Sequence, residues 1–150
     1  MKLWLLPMTT LCIGLVGCDQ ASKPSDETTH AMNSTEKHTL TVNVSNLTAE
    51  GGVLSVGLYG QDEQMLEEKK VSANEIIHKV VFTDLEGGYY SVQTYQDIDS
   101  NQQLDMNGYM PLEPLGFSNN PTLQGPPTFA MVGFEVSGNT TQDIVLVDYR

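Results

Sequence analysis

The chain has 150 residues, of which 39% are hydrophobic, and its 7 Lys and Arg face 19 Asp and Glu, so its net charge is −12. This length accommodates one domain and a short extension. Such a negative surface repels nucleic acid and anionic lipid headgroups, and it suits a protein that works near divalent cations.

The first 17 residues have the three-part build of a secretory signal peptide. One positive charge, Lys2, precedes an apolar run that ends in Leu15-Val16-Gly17-Cys18. This ending resembles the bacterial lipobox, in which the Cys receives diacylglycerol and becomes the acylated N-terminus. A membrane-spanning helix needs about 20 apolar residues, and this run is shorter and contains Pro7. The sequence therefore predicts that the protein attaches to a membrane through lipidated Cys18.

Cleavage of the signal peptide would leave a chain without disulfides, because Cys12 leaves with the signal and Cys18 carries lipid. Without Lys2, six Lys and Arg face nineteen Asp and Glu, and the net charge becomes −13. We expect the protein in the bacterial cell envelope, facing the periplasm or on the cell surface. Asp19 directly follows the lipidated Cys, as in the inner-membrane retention signal of enteric bacteria, and this favours the inner membrane.

Residues 18–37 are rich in Ser, Thr and Asp and have no apolar period. This composition predicts a disordered tether after the lipidated Cys. A flexible chain of this length has an end-to-end distance of roughly 25 Å. The apolar periodicity begins at residue 38, so residues 38–150 are predicted to form the folded domain.

Alternating apolar residues predict the first two strands of the domain. Residues 40–44 and 54–58 both alternate between apolar and polar side chains, and Gly51-Gly52 lies between them. We expect these segments to form a hairpin with one buried face. Residues 61–74 contain Glu and Lys at i,i+3 spacing, which would support a short helix. The alternative is a loop, and we favour a loop with a helical turn.

The second half of the domain predicts further short strands around one long loop. Strands are expected at residues 76–82 and 89–95, and residues 106–127 hold five of the seven prolines, which excludes a central strand or a helix there. Residues 129–136 and 143–149 predict the last two strands, the latter in the interior of a sheet. The fold class is an all-β, immunoglobulin-like or transthyretin-like antiparallel β-sandwich of about seven strands with a long Pro/Gly-rich loop.

An acidic loop is expected directly after the fourth of these strands, at residues 89–95. Its oxygen-bearing side chains stand at alternate positions, as they do in a calcium loop. They would supply part of the six to eight oxygens that Ca²⁺ takes at about 2.3–2.6 Å. The loop lacks the Gly and the final Glu of an EF-hand. The alternative is a metal-free turn, since Asp and Asn side chains also bond the nearby backbone. The predicted ligands are Asp97, Asp99, Asn101, Gln103 and Asp105.

Glu113 follows the acidic loop and lies between Pro111 and Pro114. It could return to the loop and supply the carboxylate that an EF-hand has at the position of Gly108. We favour the alternative, in which the prolines shape a surface loop and Glu113 is solvated. Ser118-Asn119-Asn120 is expected to close this segment through bonds from side chains to the backbone.

The chain resembles the DUF2141 family of uncharacterised exported bacterial proteins in three segments. They are Gly88 to Val92, Asp97 to Asp105 and Gly108 to Asn120. Family members follow a strand with His-Asp-x-Asn-x-Asn-x-x-Leu-Asp and then Gly-x-Pro-x-Glu-x-x-Gly-Phe-Ser-Asn. Gln96 stands where the family tends to have His. The resemblance covers most of residues 39–149 and implies an extracytoplasmic β-sandwich without a settled activity.

The sequence contains no evident catalytic constellation. His30, His38 and His78 do not have the spacing of a zinc site. Carboxylates in an open loop keep ordinary acidity unless burial raises the pKa of one of them. We therefore expect a noncatalytic binding or structural module, and a carboxylate-based hydrolase is the less favoured alternative.

Aromatic residues flank the acidic loop in the sequence and would suit recognition of a glycan, a peptide or an envelope protein. If these rings are exposed, they favour a recognition module. If they are buried, they favour a structural protein in which calcium staples a long loop. The candidates are Tyr89, Tyr95, Tyr109 and Phe117.

Overall fold

The computed structural model describes residues 36–75 and 77–150. The predicted signal peptide, the lipidation site Cys18, Asp19 and nearly all of the tether lie outside these residues. The described residues belong to one compact unit. No helix in the described part of the chain is long and apolar enough to cross a membrane.

The described residues form ten strands and one short helix, which confirms the all-β class and corrects the expected number of about seven strands. Two of the strands, each of two residues, form a separate ribbon and were not foreseen. The elements are β1 His38–Ser45, β2 Val53–Gly60, β3 Met65–Ser72, β4 Ile77–Leu85, β5 Gly88–Asp97, β6 Met106–Asn107, β7 Met110–Pro111, β8 Leu115–Phe117, α1 Phe129–Val132, β9 Phe134–Val136 and β10 Thr140–Val145.

The strands make two main sheets that face each other across one core. The smaller sheet has the order β10-β1-β4, and the larger has the order β3-β2-β5-β8, with β9 pairing with the other end of β5. Most pairs are antiparallel, but β10 runs parallel to the central strand β1. The third sheet is the ribbon of β6 and β7.

The core lies between the inward faces of β1 and β2. Leu40, Val42 and Val44 of β1 are fully buried, and so are alternate apolar residues of β2. Full burial of each such side chain contributes about 1.5–3 kcal/mol to the stability of the fold. The predicted hairpin is nevertheless wrong, because β1 pairs with β4 and β10 whereas β2 pairs with β3 and β5. Residues 46–52 therefore cross from one sheet to the other.

The segment predicted as a loop with a helical turn contains β3, the edge strand of the larger sheet. Its charges explain the difference. Lys69 pairs with Glu67 at 3.2 Å and Lys70 with Glu68 at 3.4 Å. Residues two apart share a face of a strand, so these pairs form in an extended chain. Charged side chains also discourage further strands from adding to an edge.

The end of the chain differs from expectation in two respects. The strand predicted at residues 129–136 is interrupted, since the helical turn α1 precedes the three-residue strand β9. The strand predicted at residues 143–149 in a sheet interior is the edge strand β10, which begins and ends earlier. Only one face of this segment is covered, since Ile144 and Leu146 are buried while Val145 and Val147 are exposed.

The two ends of β5 define two ends of the sandwich. At one end, Gly87 in the β4–β5 turn lies beside His38, the first residue of β1. At the other end, Asp97 pairs with Val53. The acidic loop therefore leaves the sandwich at the end away from the start of β1.

Candidate metal site

Asp97 is the last residue of β5, and its carboxylate turns back under the acidic loop. The side chain is only 2% exposed. Its oxygens accept hydrogen bonds from the backbone N–H groups of Asn101 at 3.1 Å and Gln102 at 2.8 Å. Ser100 and Gln102 have φ values of 61° and 70°, a left-handed conformation that curls the loop tightly.

Glu113 closes the loop from the other side. Its side chain is 3% exposed, and its oxygens accept hydrogen bonds from the N–H groups of Ile98 at 2.7 Å and Asp105 at 3.2 Å. The expectation of a solvated Glu113 is therefore wrong. The β6–β7 ribbon reverses the chain, and the N–H of Leu112 donates to the carbonyl of Asp105 at 2.9 Å. This reversal brings Glu113 back to the loop.

The fold gathers three carboxylates at one place. Asp97, Asp99 and Glu113 each offer an oxygen within 4.8 Å of the others. In the described part of the chain, no Lys or Arg forms an ion pair with them. Like charges at this distance repel strongly when they are partly removed from water. The arrangement can hold a cation that shares these oxygens.

The pKa of Glu113 reflects its burial first and its charged neighbours second. Burial raises the pKa of this carboxyl above its usual range. The N–H groups of Ile98 and Asp105 oppose the rise, and the negative charges of Asp97 and Asp105 add to it. A buried group whose charged form is disfavoured gains from a neighbouring cation.

Asn101 connects the remaining predicted ligands. Its side-chain nitrogen donates to Asp99 at 3.2 Å and to Asp105 at 3.1 Å, so one amide offsets the repulsion of two carboxylates. Its side-chain oxygen accepts from the backbone N–H of Gln103 at 2.8 Å. Of the five residues predicted as ligands, Asp97 and Asp99 lie in the carboxylate cluster, Asn101 and Asp105 border it, and Gln103 joins through its backbone.

A family model described as "Uncharacterized protein conserved in bacteria (DUF2141)" matches residues 42–144. The chain belongs to the DUF2141 family. The match runs from β1 to β10 and includes the acidic loop and Glu113, so the carboxylate cluster lies within the DUF2141 domain. Neither the curated proteins nor the solved structures contain a significant match.

Gln96, the residue directly before Asp97, holds the segment between β1 and β2 from inside the domain. It is fully buried, and its amide makes four hydrogen bonds to residues 48–51. Its oxygen accepts from the N–H of Thr48 at 2.8 Å and from the Thr48 hydroxyl at 3.3 Å. Its nitrogen donates to the carbonyls of Thr48 at 3.1 Å and Gly51 at 2.7 Å. This role was not predicted from the sequence. The available signal was the alternation of β5, which places Gln96 on the same inward face as Val92 and Thr94.

The Ser-Asn-Asn segment of the DUF2141 motif is structural. Its side chains bond the backbone as expected, but their partners lie in β5, at α1 and in β10 rather than in the segment's own turn. The Ser118 hydroxyl accepts from the N–H of Val92 at 2.9 Å and donates to the carbonyl of Val132 at 2.5 Å. Asn119 donates to the carbonyl of Gly133 at 2.9 Å. Asn120 pairs with the outer edge of β10, where it donates to Asp143 and accepts from Val145.

The four candidate aromatics of the DUF2141 domain do not form one surface. Phe117 is buried, and Tyr95 packs against the same small cluster. Tyr89 is exposed but lies opposite Glu135, at the end of β5 away from the acidic loop. Tyr109 alone is both exposed and next to the loop, in the turn between β6 and β7.

Proposed function

We propose that this DUF2141 protein is a noncatalytic, lipid-anchored module of the bacterial cell envelope whose acidic loop binds calcium. One observation carries the calcium proposal. Asp97 and Glu113, both almost completely buried, share one place with Asp99, and no Lys or Arg of the described residues pairs with them. Buried charges are normally paired or coordinate a metal.

Calcium suits these donors better than other biological cations. The side chains offer only oxygen, whereas zinc and copper favour imidazole and thiolate ligands. Magnesium demands a nearly ideal octahedron, and calcium accepts six to eight oxygens in irregular arrangements. Asp97, Asp99 and Glu113 would hold the ion, with Asn101 and Asp105 at the border of the site. Water and loop carbonyls supply the remaining ligands in such sites.

The same contacts support a noncatalytic role. General acid–base catalysis requires a carboxyl within hydrogen-bond reach of the substrate. The oxygens of Asp97 and Glu113 instead accept bonds from backbone N–H groups beneath the loop. A carboxylate-based hydrolase would need one of these groups to leave its backbone partners, and the loop would then lose its closure.

Calcium binding is tested on residues 32–150 after removal of metal with a chelator. We expect calcium to raise the thermal midpoint more than magnesium does, because a ligand at a hundredfold excess over Kd stabilises by ~2.7 kcal/mol. Glu113→Gln and Asp97→Asn should abolish this response. Glu135→Gln is the matched control, since Glu135 is exposed on β9 at the other end of the sandwich. An unchanged midpoint in millimolar calcium, with no heat of binding, would reject the calcium site.

The lipid anchor is tested separately on the full-length chain. The proposal depends on Leu15-Val16-Gly17-Cys18, which lies outside the described residues. Expression in a bacterium supplied with a labelled fatty acid should yield a labelled protein in the membrane fraction. Cys18→Ser should remove both the label and the membrane association. A soluble wild-type protein without label would contradict the anchor and leave the calcium proposal intact.

A recognition module that works without metal is the second candidate, and the exposure of Tyr109 favours it. Its partner would be a glycan, a peptide or another envelope protein. In that case the acidic loop is a turn closed by its own backbone bonds. Binding of cell-wall glycan fragments that persists in chelator and is lost in Tyr109→Ser would support this candidate over the calcium module.

A further inference from the structure

An exposed apolar hairpin connects the acidic loop to Glu113. We call residues 106–112 the tip hairpin; β6 and β7 form its arms, and Gly108 and Tyr109 form its turn. It contains no charged residue. Its exposed fractions are 47% for Met106, 94% for Tyr109, 52% for Met110 and 43% for Leu112. Exposed apolar side chains clustered around one tip are a candidate site of interaction with a protein or a membrane.

The geometry of the tip hairpin favours a membrane over a flat protein surface. Met106 pairs with Pro111, and Asn107 pairs with Met110. Opposing residues of an antiparallel pair share a face, so Met106 and Met110 emerge on opposite faces, with Tyr109 at the turn. A flat partner would cover one face only, whereas a lipid interface surrounds the whole tip. Tyrosine suits the boundary between headgroups and acyl chains.

Both ends of the tip hairpin are fixed at the carboxylate cluster. The N–H of Asp105 donates to Glu113 at 3.2 Å, and the N–H of Leu112 donates to the carbonyl of Asp105. The cluster therefore lies at the base of the hairpin and would approach the headgroups with it. Bare carboxylates would repel anionic headgroups, whereas a bound calcium ion reduces this repulsion and accepts phosphate oxygens as further ligands.

The chain length allows the tip hairpin to reach the membrane that anchors the protein. The tip lies at the end of β5 away from the start of β1, and ten strand residues span about 33 Å. The residues from Cys18 to Glu36 can extend to roughly 60 Å. An anchored domain could therefore lie with its tip against the same bilayer, and anchoring would keep the effective concentration of that surface high.

We propose that the tip hairpin docks the domain on a phospholipid surface by placing Tyr109, Met106 and Met110 at the headgroup boundary, and that calcium in the acidic loop permits this on anionic lipid. The dependence on calcium and the presence of an anchoring membrane rest on the proposed function, whereas the insertion itself rests on the hairpin. The ligand is an anionic phospholipid, and its phosphate oxygens meet the ion while its acyl boundary meets the tip.

A single tryptophan can report this docking. Trp4 is the only Trp of the sequence, so residues 32–150 contain none. Tyr109→Trp places a reporter in the turn, and Met65→Trp places a control at an exposed site on β3, opposite Tyr59 and away from the loop. The probes are vesicles of phosphatidylcholine with phosphatidylglycerol, and of phosphatidylcholine alone, in calcium, magnesium or chelator.

With phosphatidylglycerol and calcium, the Tyr109→Trp emission should shift to shorter wavelength and be quenched by brominated acyl chains. The Met65→Trp control should show neither change. Adding Met106→Ser and Met110→Ser to the Tyr109→Trp protein should weaken the partition into vesicles about tenfold, because less apolar area is buried. The thermal response of the domain to calcium should remain unchanged.

Three results would overturn the proposal. If the Tyr109→Trp emission stays unchanged with every vesicle while calcium still raises the thermal midpoint, docking fails and the calcium site stands. If calcium has no thermal effect and the reporter docks equally in calcium and chelator, the calcium control of docking fails together with the proposed site. If the emission shifts with protein concentration in the absence of vesicles, the tip hairpin binds a second copy of the chain.

Discussion

The carboxylate of Glu113 accepts a hydrogen bond of 2.7 Å from the backbone N–H of Ile98, fifteen residues earlier in the chain. This bond ties the start of the acidic loop to the segment that follows the tip hairpin. The same carboxylate accepts the N–H of Asp105, so one buried side chain fixes both ends of the loop. The loop is therefore preorganised by the protein before any ion binds.

Glu113→Ala should destabilise the domain even without metal. The substitution leaves the N–H groups of Ile98 and Asp105 without their acceptor, and an unsatisfied buried donor costs about 1–3 kcal/mol. The substitution also removes the repulsion between Glu113 and Asp97, which offsets part of this cost. We therefore expect the free energy of unfolding to fall by about 2 kcal/mol. Urea unfolding in chelator measures it. Glu135→Ala, on the exposed face of β9, should change stability little, and an equal loss in both variants would contradict the role of Glu113.

Gln96→Ala should lower the free energy of unfolding by about 2–4 kcal/mol, because it leaves the backbone groups of Thr48 and Gly51 unpaired and opens a small cavity. Gln93 is the matched control, since it lies on the outer face of the same strand and is partly exposed. Amide hydrogen exchange at Thr48 should accelerate in Gln96→Ala but not in Gln93→Ala. Unchanged protection of Thr48 would show that Gln96 does not hold the β1–β2 segment.

Gly52→Ala should disturb the acidic loop far more than Gly51→Ala. Gly52 and Gly51 have positive φ values, of 89° and 80°, so the strain of an Ala backbone costs a similar amount at both, about 1–2 kcal/mol. A Cβ on Gly52 would clash with the carbonyl oxygen of Asp97, whereas a Cβ on Gly51 meets nothing within 4 Å. We expect Gly52→Ala alone to lose calcium affinity in titration calorimetry. Equal affinities would mean that the backbone of Asp97 can shift without affecting the site.

The raised pKa of Glu113 predicts a pH dependence of stability. The folded state binds the Glu113 proton more tightly than the unfolded state does, so this contribution to stability falls as pH rises through the interval above the ordinary value of 4.5. The metal-free domain should therefore gain stability from Glu113 on acidification into that interval, and Glu113→Gln should lack this gain.

The measurement is the difference in unfolding free energy between the wild type and Glu113→Gln at several pH values. Taking the difference removes groups common to both proteins, such as Asp148, whose pKa is lowered to about 2 by its hydrogen bonds with Arg150. The calcium affinity of the wild type should fall as the pH is lowered through the same interval, because protons compete for the Glu113 oxygens. A pH-independent difference would refute the assignment.

The sequence alone determined the fold class and the loop, because both are written in short-range patterns. Alternation in β1 and β2 marks which side chains are buried, and the spacing of Asp97, Asp99 and Asn101 marks an oxygen-rich turn. Alternation reports burial without reporting the partner strand. For this reason the sequence predicted a β1–β2 hairpin where the two strands lie in opposite sheets.

The tertiary structure decided the composition of the site. Neither the depth of Glu113 nor the four bonds of Gln96 can be inferred from nearby residues, since both depend on partners that lie far away in the chain. The ribbon of β6 and β7 returns Glu113 to the loop, and the β1–β2 segment supplies the partners of Gln96. A local pattern fixes which residues form a turn, and only the packing of distant segments fixes which carboxylates meet and lose water together.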